Sequence, residues 1–218
     1  MMHFLRLNSL ILLLFASCSA PYRHLKQQPA DNQSALRFKP VFEKALYRCV
    51  VDGGFIFKKY HLSGLLFFKT LENGTVRAIY QNEMGFTFFD FEWGNGDTAF
   101  RVDQVMPRLD KPAVIKTLRK DIELLLMLGL DQRTEKVFID DRGKQLFRRL
   151  DIGEGYAYYI EEDGRLIRTE NAGEKSKVVT ITLQGKAKPA DMPAKAVVDH
   201  HKANFTIELN KIDSYADE

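Results

Sequence analysis

From about residue 36 onward, short runs of alternating apolar and polar residues are separated by turn-forming pairs, which is the pattern of antiparallel β-structure. The turns are LENGT (71–75), QNEMG (81–85), WGNGD (93–97), DDRGK (140–144), IGEG (152–155) and EEDGR (161–165). Asn-Gly and Asp-Gly supply the positive φ of tight hairpins, so most of the chain reads as a meander. One segment has a different period. Val114, Leu118, Ile122, Leu125 and Leu126 recur at helical spacing, while Lys116, Arg119, Lys120 and Glu123 take the other face. Pro112 suits a first helical turn and Gly129 an end, which predicts an amphipathic helix over about 112–128 that caps a sheet. Near the C-terminus, 177–183 and 204–212 read as strands, and 185–196 as a loop.

Turn chemistry also predicts registers. With Asn73-Gly74 at the centre of the first turn, Leu71 faces Val76, Lys69 faces Ala78 and Phe67 faces Tyr80. With Glu83-Met84 in the second, Arg77 faces Asp90 and Ala78 faces Phe89; with Asn95-Gly96 in the third, Asp90 faces Arg101 and Phe91 faces Phe100. Arg77, Asp90 and Arg101 then form a cross-strand ladder of alternating charge, worth ~0.2–1 kcal/mol per pair. The opposite face collects Leu65, Phe67, Val76, Ala78, Tyr80, Phe89, Phe91, Trp93, Phe100 and Val102, whereas Leu66, Phe68, Ile79, Phe86 and Phe88 share the charged face. A sheet this aromatic must curl, which predicts a mainly β (α+β) fold: a curved antiparallel sheet with one inserted helix. Two interiors are compatible with it. Either later strands and the helix fill the concavity, or a cavity persists that admits acyl chains, lined by Leu65, Phe67, Tyr80, Phe89, Phe91, Trp93 and Phe100.

The N-terminus has a separate logic. Arg6 is the only charged residue before Cys18, and the apolar run 10–16 ends in Ala16 and Ser17, the layout of a signal peptide. The run is shorter than the ~20 residues that span a bilayer. Phe15-Ala16-Ser17-Cys18 resembles the lipobox of bacterial lipoproteins, which implies cleavage before Cys18 and its acylation, palmitate included. The alternative is an ordinary secreted protein in which Cys18 is incidental. By the same resemblance, Ser19 where an Asp would signal retention implies the outer membrane, with the domain on its periplasmic side. The expected division is signal peptide 1–17, lipidated tether 18–37 and domain 38–218, the tether being polar, aperiodic and broken by Pro21 and Pro29.

Of 32 basic residues only Arg6 lies in 1–17, and none of the 29 acidic ones does, so the remainder is near neutral with both signs interspersed. That balance argues against nucleic acid. With Cys49 the only cysteine besides Cys18, a disulfide framework is excluded and stability must come from one core.

The stretches HLSGLLFFK and VRAIYQNEMGFTFFDFEW, followed after a third hairpin by KPAVIKTLRKDIELLLM, resemble the LolA/LolB-like superfamily of periplasmic lipoprotein carriers and outer-membrane lipoprotein receptors. The Ser63-Gly64 step and Gly85-Phe86-Thr87 correspond to recurrent strand motifs there, over about residues 45–130. The resemblance implies that the curved antiparallel sheet is unclosed, a half-barrel, whose helix-plugged concave side encloses an apolar cavity for lipid. No functional residue carries over, because WGNGD is a polar turn where the receptor has a protruding apolar loop.

An enzyme needs a nucleophile with a base, a metal cluster or paired carboxylates in a pocket. His200 and His201 are adjacent in a strand and point to opposite faces, His24 lies in the tether, and His61 stands alone. Cys49 reads as a buried small hydrophobe, and the Asp140-Asp141 turn is too short for a calcium loop. The expectation is therefore a non-enzymatic, monomeric, lipid-anchored envelope protein without cofactor or metal. It binds a lipid, a lipoprotein acyl chain or another amphiphile, or, as the alternative, serves as an accessory subunit that docks a partner protein.

Overall fold

The structure is a computed structural model of the chain and describes residues 21–55, 58–94 and 100–212. A first meander contains β2 (Lys44–Phe55), β3 (Lys58–Thr70), β4 (Val76–Gln81), β5 (Thr87–Trp93) and β6 (Phe100–Val105). After the helix α1 (Pro112–Leu126) comes a second one: β7 (Glu135–Ile139), β8 (Gln145–Asp151), β9 (Tyr156–Glu162), β10 (Arg165–Ala172), β11 (Lys177–Gln184), β12 (Lys195–His200) and β13 (Phe205–Ile212). With the short β1 (Lys26–Gln28), they form one 13-stranded sheet in the order β1-β7-β8-β9-β10-β11-β12-β13-β2-β3-β4-β5-β6. Every neighbouring pair is antiparallel, and the two edge strands, β1 and β6, do not pair with each other.

This order explains why the helix plugs the concavity. β6 lies at one edge, β7 lies next to the other, and α1 is the main element connecting them. A chain crossing from edge to edge must pass over one face, and the apolar stripe of α1 selects the apolar face. Ile122, Leu124, Leu125 and Leu126 are accordingly buried in the same cluster as the inner side chains of the strands. Pro112 occupies the first turn as expected, but the left-handed cap is Met127 (φ 55°), two residues before Gly129.

The registers differ from the two-residue turns of the sequence reading, and the cause is local. Leu71 donates its N–H to Thr75 and Gly74 has φ 80°, so the first loop has three residues, with the glycine in the left-handed position. The pairing becomes Phe68 with Ala78 and Leu66 with Tyr80, a slip of one residue that reverses β3. Leu66 and Phe68 are therefore inside and fully covered, and Leu65 and Phe67 turn to the convex face, opposite to the expectation. The β4–β5 loop is likewise three residues long, with Gly85 at φ 82°, but a bulge between Tyr80 and Gln81 adds a second one-residue shift. Two shifts restore the face, and Phe89, Phe91 and Trp93 are inside as expected. Across β5–β6 the pairing is Trp93 with Phe100 and Phe91 with Val102, again two residues from the expected register. The Asn95-Gly96 turn lies outside the described residues. The charge ladder survives in altered form: Arg77 and Arg101 both oppose Glu92, Arg77 reaches Asp90 diagonally at 2.9 and 2.5 Å, and Arg101 pairs with Glu92 at 3.1 Å.

Gly64 is a structural necessity. Beyond Leu65 the chain of β4 folds across β3, and a Cβ on residue 64 would sit 2.1 Å from the carbonyl oxygen of Gln81 and 3.0 Å from Asn82 Cα. Both obstacles are backbone. Gly64→Ala is expected to cost at least ~1–3 kcal/mol, read as a lower urea midpoint at unchanged m.

The expected tether is part of the domain from Tyr22 onward. Tyr22 and Leu25 pack on the convex face against Phe147, Tyr158 and Ile160; Lys26–Gln28 adds β1 to the edge of β7; Ala35 and Phe38 enter the concave core. This strap is held by Arg148, which has no exposed surface and bonds Asp31, the Gln33 carbonyl, Glu135 and Glu161. Lys186 closes its far end by donating to the Phe38 carbonyl at 2.9 Å. Burial pushes the Lys186 ammonium down to about 8 from an ordinary 10.5. Between those values the unfolded chain binds more protons than the folded one, so stability should rise with pH above about 8 until tyrosine ionisation opposes it near ~10. Lys186→Met should flatten that rise in urea melts.

Candidate functional site

Most of the concavity is solid. Tyr47, Phe68, Tyr80, Phe89 and Phe91 are buried, with Phe89 stacked on Phe91 at 4.4 Å between ring centroids. The Tyr80 hydroxyl donates to the Cys49 carbonyl at 3.3 Å, and the Tyr159 hydroxyl to Leu124 at the C-terminal half of α1 at 3.2 Å. Cys49 is a packed small side chain whose thiol burial pushes up to about 12, far from a reactive thiolate.

Where the C-terminal end of α1 meets the sheet, the packing opens into a cavity of about 470 Å³. Its apolar walls are Val76 and Trp93 at the β4 and β5 ends, Phe100 at the start of β6, Leu124, Leu128 and Leu130 on and after the helix, and Ile152 and Tyr159 from the second meander. The two arms of the sheet thus meet across it. Polar side chains take an equal share of the lining: Arg119, Lys120 and Glu123 from α1, with Lys39, Asp131, Gln132 and Arg133 beyond.

The rim is cross-braced. Glu123 accepts from the Trp93 indole N–H at 3.1 Å and from Arg119 Nε at 2.6 Å, and the Arg119 guanidinium lies 4.6 Å from the centre of the Phe100 ring. These contacts fix the indole edge-on at the mouth, so its ring remains an apolar wall. Lys39 pairs with Asp131 at 2.7 Å, and Lys116 with Glu154 at 2.6 Å, which holds the Glu154 carboxyl below its usual range. Deeper in the fold, His200 Nε2 meets Asp121 Oδ2 at 2.9 Å with both side chains buried, and the imidazole stacks on Phe205 at 3.9 Å. Burial raises the Asp121 carboxyl, an effect His200 opposes. The pair pins α1 to β12. His201 instead meets Thr180, so the two histidines do diverge.

Of the expected ligand-lining residues, Trp93 and Phe100 line the cavity; Tyr80, Phe89 and Phe91 are packed core beneath it; Leu65 and Phe67 are on the convex face. The lining from Leu124 to Arg133 and from Ile152 escaped the sequence reading, because no local period marks a loop that folds under a distant strand. Met84 and Phe86 stand 92% and 50% exposed on the β4–β5 loop. Cys18 lies outside the described residues. Among those residues no group of His, Cys, Asp and Glu could hold a metal, and no helix is long and apolar enough to cross a membrane.

No family model matches the chain, and no curated protein does. Solved structures are similar. A domain described as an outer membrane lipoprotein-sorting protein, from Vibrio parahaemolyticus, superposes with TM-score 0.51 at 11% identity, over 82% of this chain and 87% of that one. A DUF1329 family protein from Desulfovibrio piger gives TM-score 0.43 at 11% identity over 82% and 88%, and a LolA superfamily protein from Nitrosomonas europaea 0.41 at 7% over 82% and 89%. At such identities the likeness is one of fold.

Proposed function

We propose that this chain, whose fold is LolA/LolB-like, binds the acyl part of a lipid or lipoprotein in the cavity beside Trp93, as a carrier or receptor in the bacterial envelope. The observation that carries the reading is a half-open cavity of about 470 Å³, lined by apolar and charged side chains in comparable share and held between two arms of a sheet whose remaining interior is packed. That volume falls in the range of small-molecule sites, about 300–1,000 Å³. The apolar part of the lining rewards burial of a hydrocarbon tail, while the charged part suits a polar head. The reading includes anchoring through acylated Cys18 on the periplasmic face of the outer membrane, and assigns no catalytic step.

The test uses the chain's single tryptophan. Because Trp93 is a buried wall of the cavity, a bound lysophospholipid should change its emission, and native mass spectrometry of the purified protein should detect co-purifying lipid. Leu128→Glu places a charge in the wall and should weaken binding at least about tenfold, or ~1.4 kcal/mol, with the fold intact. Unchanged emission and no bound lipid would instead favour an accessory subunit that docks a partner, a reading supported by the exposed Met84 and Phe86.

A further inference from the structure

The N-terminal strap fixes where an anchored chain must emerge. Tyr22 lies on the convex face, its ring stacked on Tyr158 at 4.0 Å and 6.3 Å from Phe147, and its hydroxyl donating to Glu170. From there Lys26, Gln27 and Gln28 pair with Ile139, Phe138 and Val137, so the segment is held at successive points. Four Cα steps separate Cys18 from Tyr22, a reach of at most about 14 Å. If Cys18 carries the acyl chains, nothing long enough intervenes to hold the domain away from the bilayer.

The charge on that face fits an anionic surface. Arg23, Lys26 and Lys136 are exposed around the strap, and Arg149 lies over the Phe138 and Tyr156 rings at 4.9 and 4.4 Å. Of the carboxylates there, Glu170 is buried and taken up by Tyr22, Arg168 and Lys177, Asp141 sits 3.7 Å from Lys26, and Glu162 accepts from Gln145 Nε2 at 2.9 Å, which leaves Asp151 at the far end of β8, exposed and accepting from the Gly153 N–H, as the acidic group the basic ones outnumber. Basic groups near a bilayer attract anionic headgroups within a Debye length, a distance the short leash enforces.

We infer that the convex face of β7–β10, with the strap of residues 22–28 laid over it, is the surface the protein presses against an anionic phospholipid bilayer, held there by a leash of a few residues. The inference rests on the reading of Cys18 as the acylated residue and is independent of what the cavity binds.

The full chain, expressed in a bacterial host and purified in detergent, is reconstituted into phosphatidylethanolamine vesicles containing phosphatidylglycerol and a headgroup nitroxide quencher. Cys49 is buried, so a fluorophore can be attached to Lys136→Cys on β7 or, eight strands away, to Lys69→Cys on β3. Quenching several-fold stronger at 136 than at 69 is expected, and a long Gly-Ser insertion between Ala20 and Pro21 should abolish the difference. Equal or reversed quenching, or a difference that the insertion leaves unchanged, overturns the inference while leaving acylation intact. Intact mass separates the other failure: a chain without acyl mass on Cys18 overturns the anchor and this inference together.

Discussion

Replacing Arg148 with methionine should lower the unfolding free energy by about 3–5 kcal/mol, the usual cost of removing one partner from a buried ionic network. Arg148 projects from β8 into the concave side, where its guanidinium bonds Glu161 at 2.5 Å, Glu135 at 2.8 Å and Asp31 at 2.9 and 2.7 Å. Methionine matches the stem but leaves Glu161, only 2% exposed, with Arg37 as its remaining basic partner. The decisive control is the double variant Arg148→Met/Glu161→Leu, which removes the stranded charge and should recover part of the loss. Arg148 also holds the Asp31 carboxyl below its usual range. A depressed carboxylate stabilises the fold above about pH 4 and loses that contribution as pH falls through its folded value, so Arg148→Met should remove this part of the acid sensitivity. Urea melts at two pH values measure both effects, and protease cleavage within residues 29–33 would report the loosened strap.

Phe91→Ala should cost a similar ~3–5 kcal/mol, from lost transfer energy and the void left behind. Phe91 has no exposed surface and touches Phe89, Trp93 and Phe100, with ring centroids 4.4, 6.2 and 5.3 Å away. Its ring is part of the joint between β4, β5 and β6, which the structure places below the cavity. A charge at Phe89 or Phe91, both expected from the sequence to line the cavity, would therefore unfold the arm before it could report on a ligand. Leu128 separates the two effects, because it borders open space and is only half buried. If Phe91→Ala proved nearly neutral, the first arm would have to be loosely packed, and the contrast between solid core and open end would fail with it.

The elements were legible because each carries its own period. Alternation over β3 to β5 and helical spacing over α1 are local signals, and the strands predicted at 177–183 and 204–212 are observed as Lys177–Gln184 and Phe205–Ile212. The faces were less legible. A glycine in an Asn-Gly pair permits both a two-residue and a three-residue loop, and that single residue decided whether Phe67 or Phe68 points inward. The strap was missed for a related reason. PYRHLKQQPADNQS has no period of its own, and its order comes from partners more than a hundred residues away, among them Glu135, Arg148 and Glu170.

By itself, then, the sequence determined that this chain is a mainly antiparallel sheet with one amphipathic helix, because alternation and helical spacing are properties of neighbouring residues. It also determined the lipobox-like cysteine and the absence of a disulfide framework. Only the tertiary structure decided that β13 returns to pair with β2, that the helix crosses the concave face from edge to edge, and that the space left over lies beside Trp93 rather than beneath Phe89 and Phe91. The reason is physical: which strands pair and where packing runs out depend on contacts between segments far apart in the chain, and no local pattern encodes the volume that remains between them.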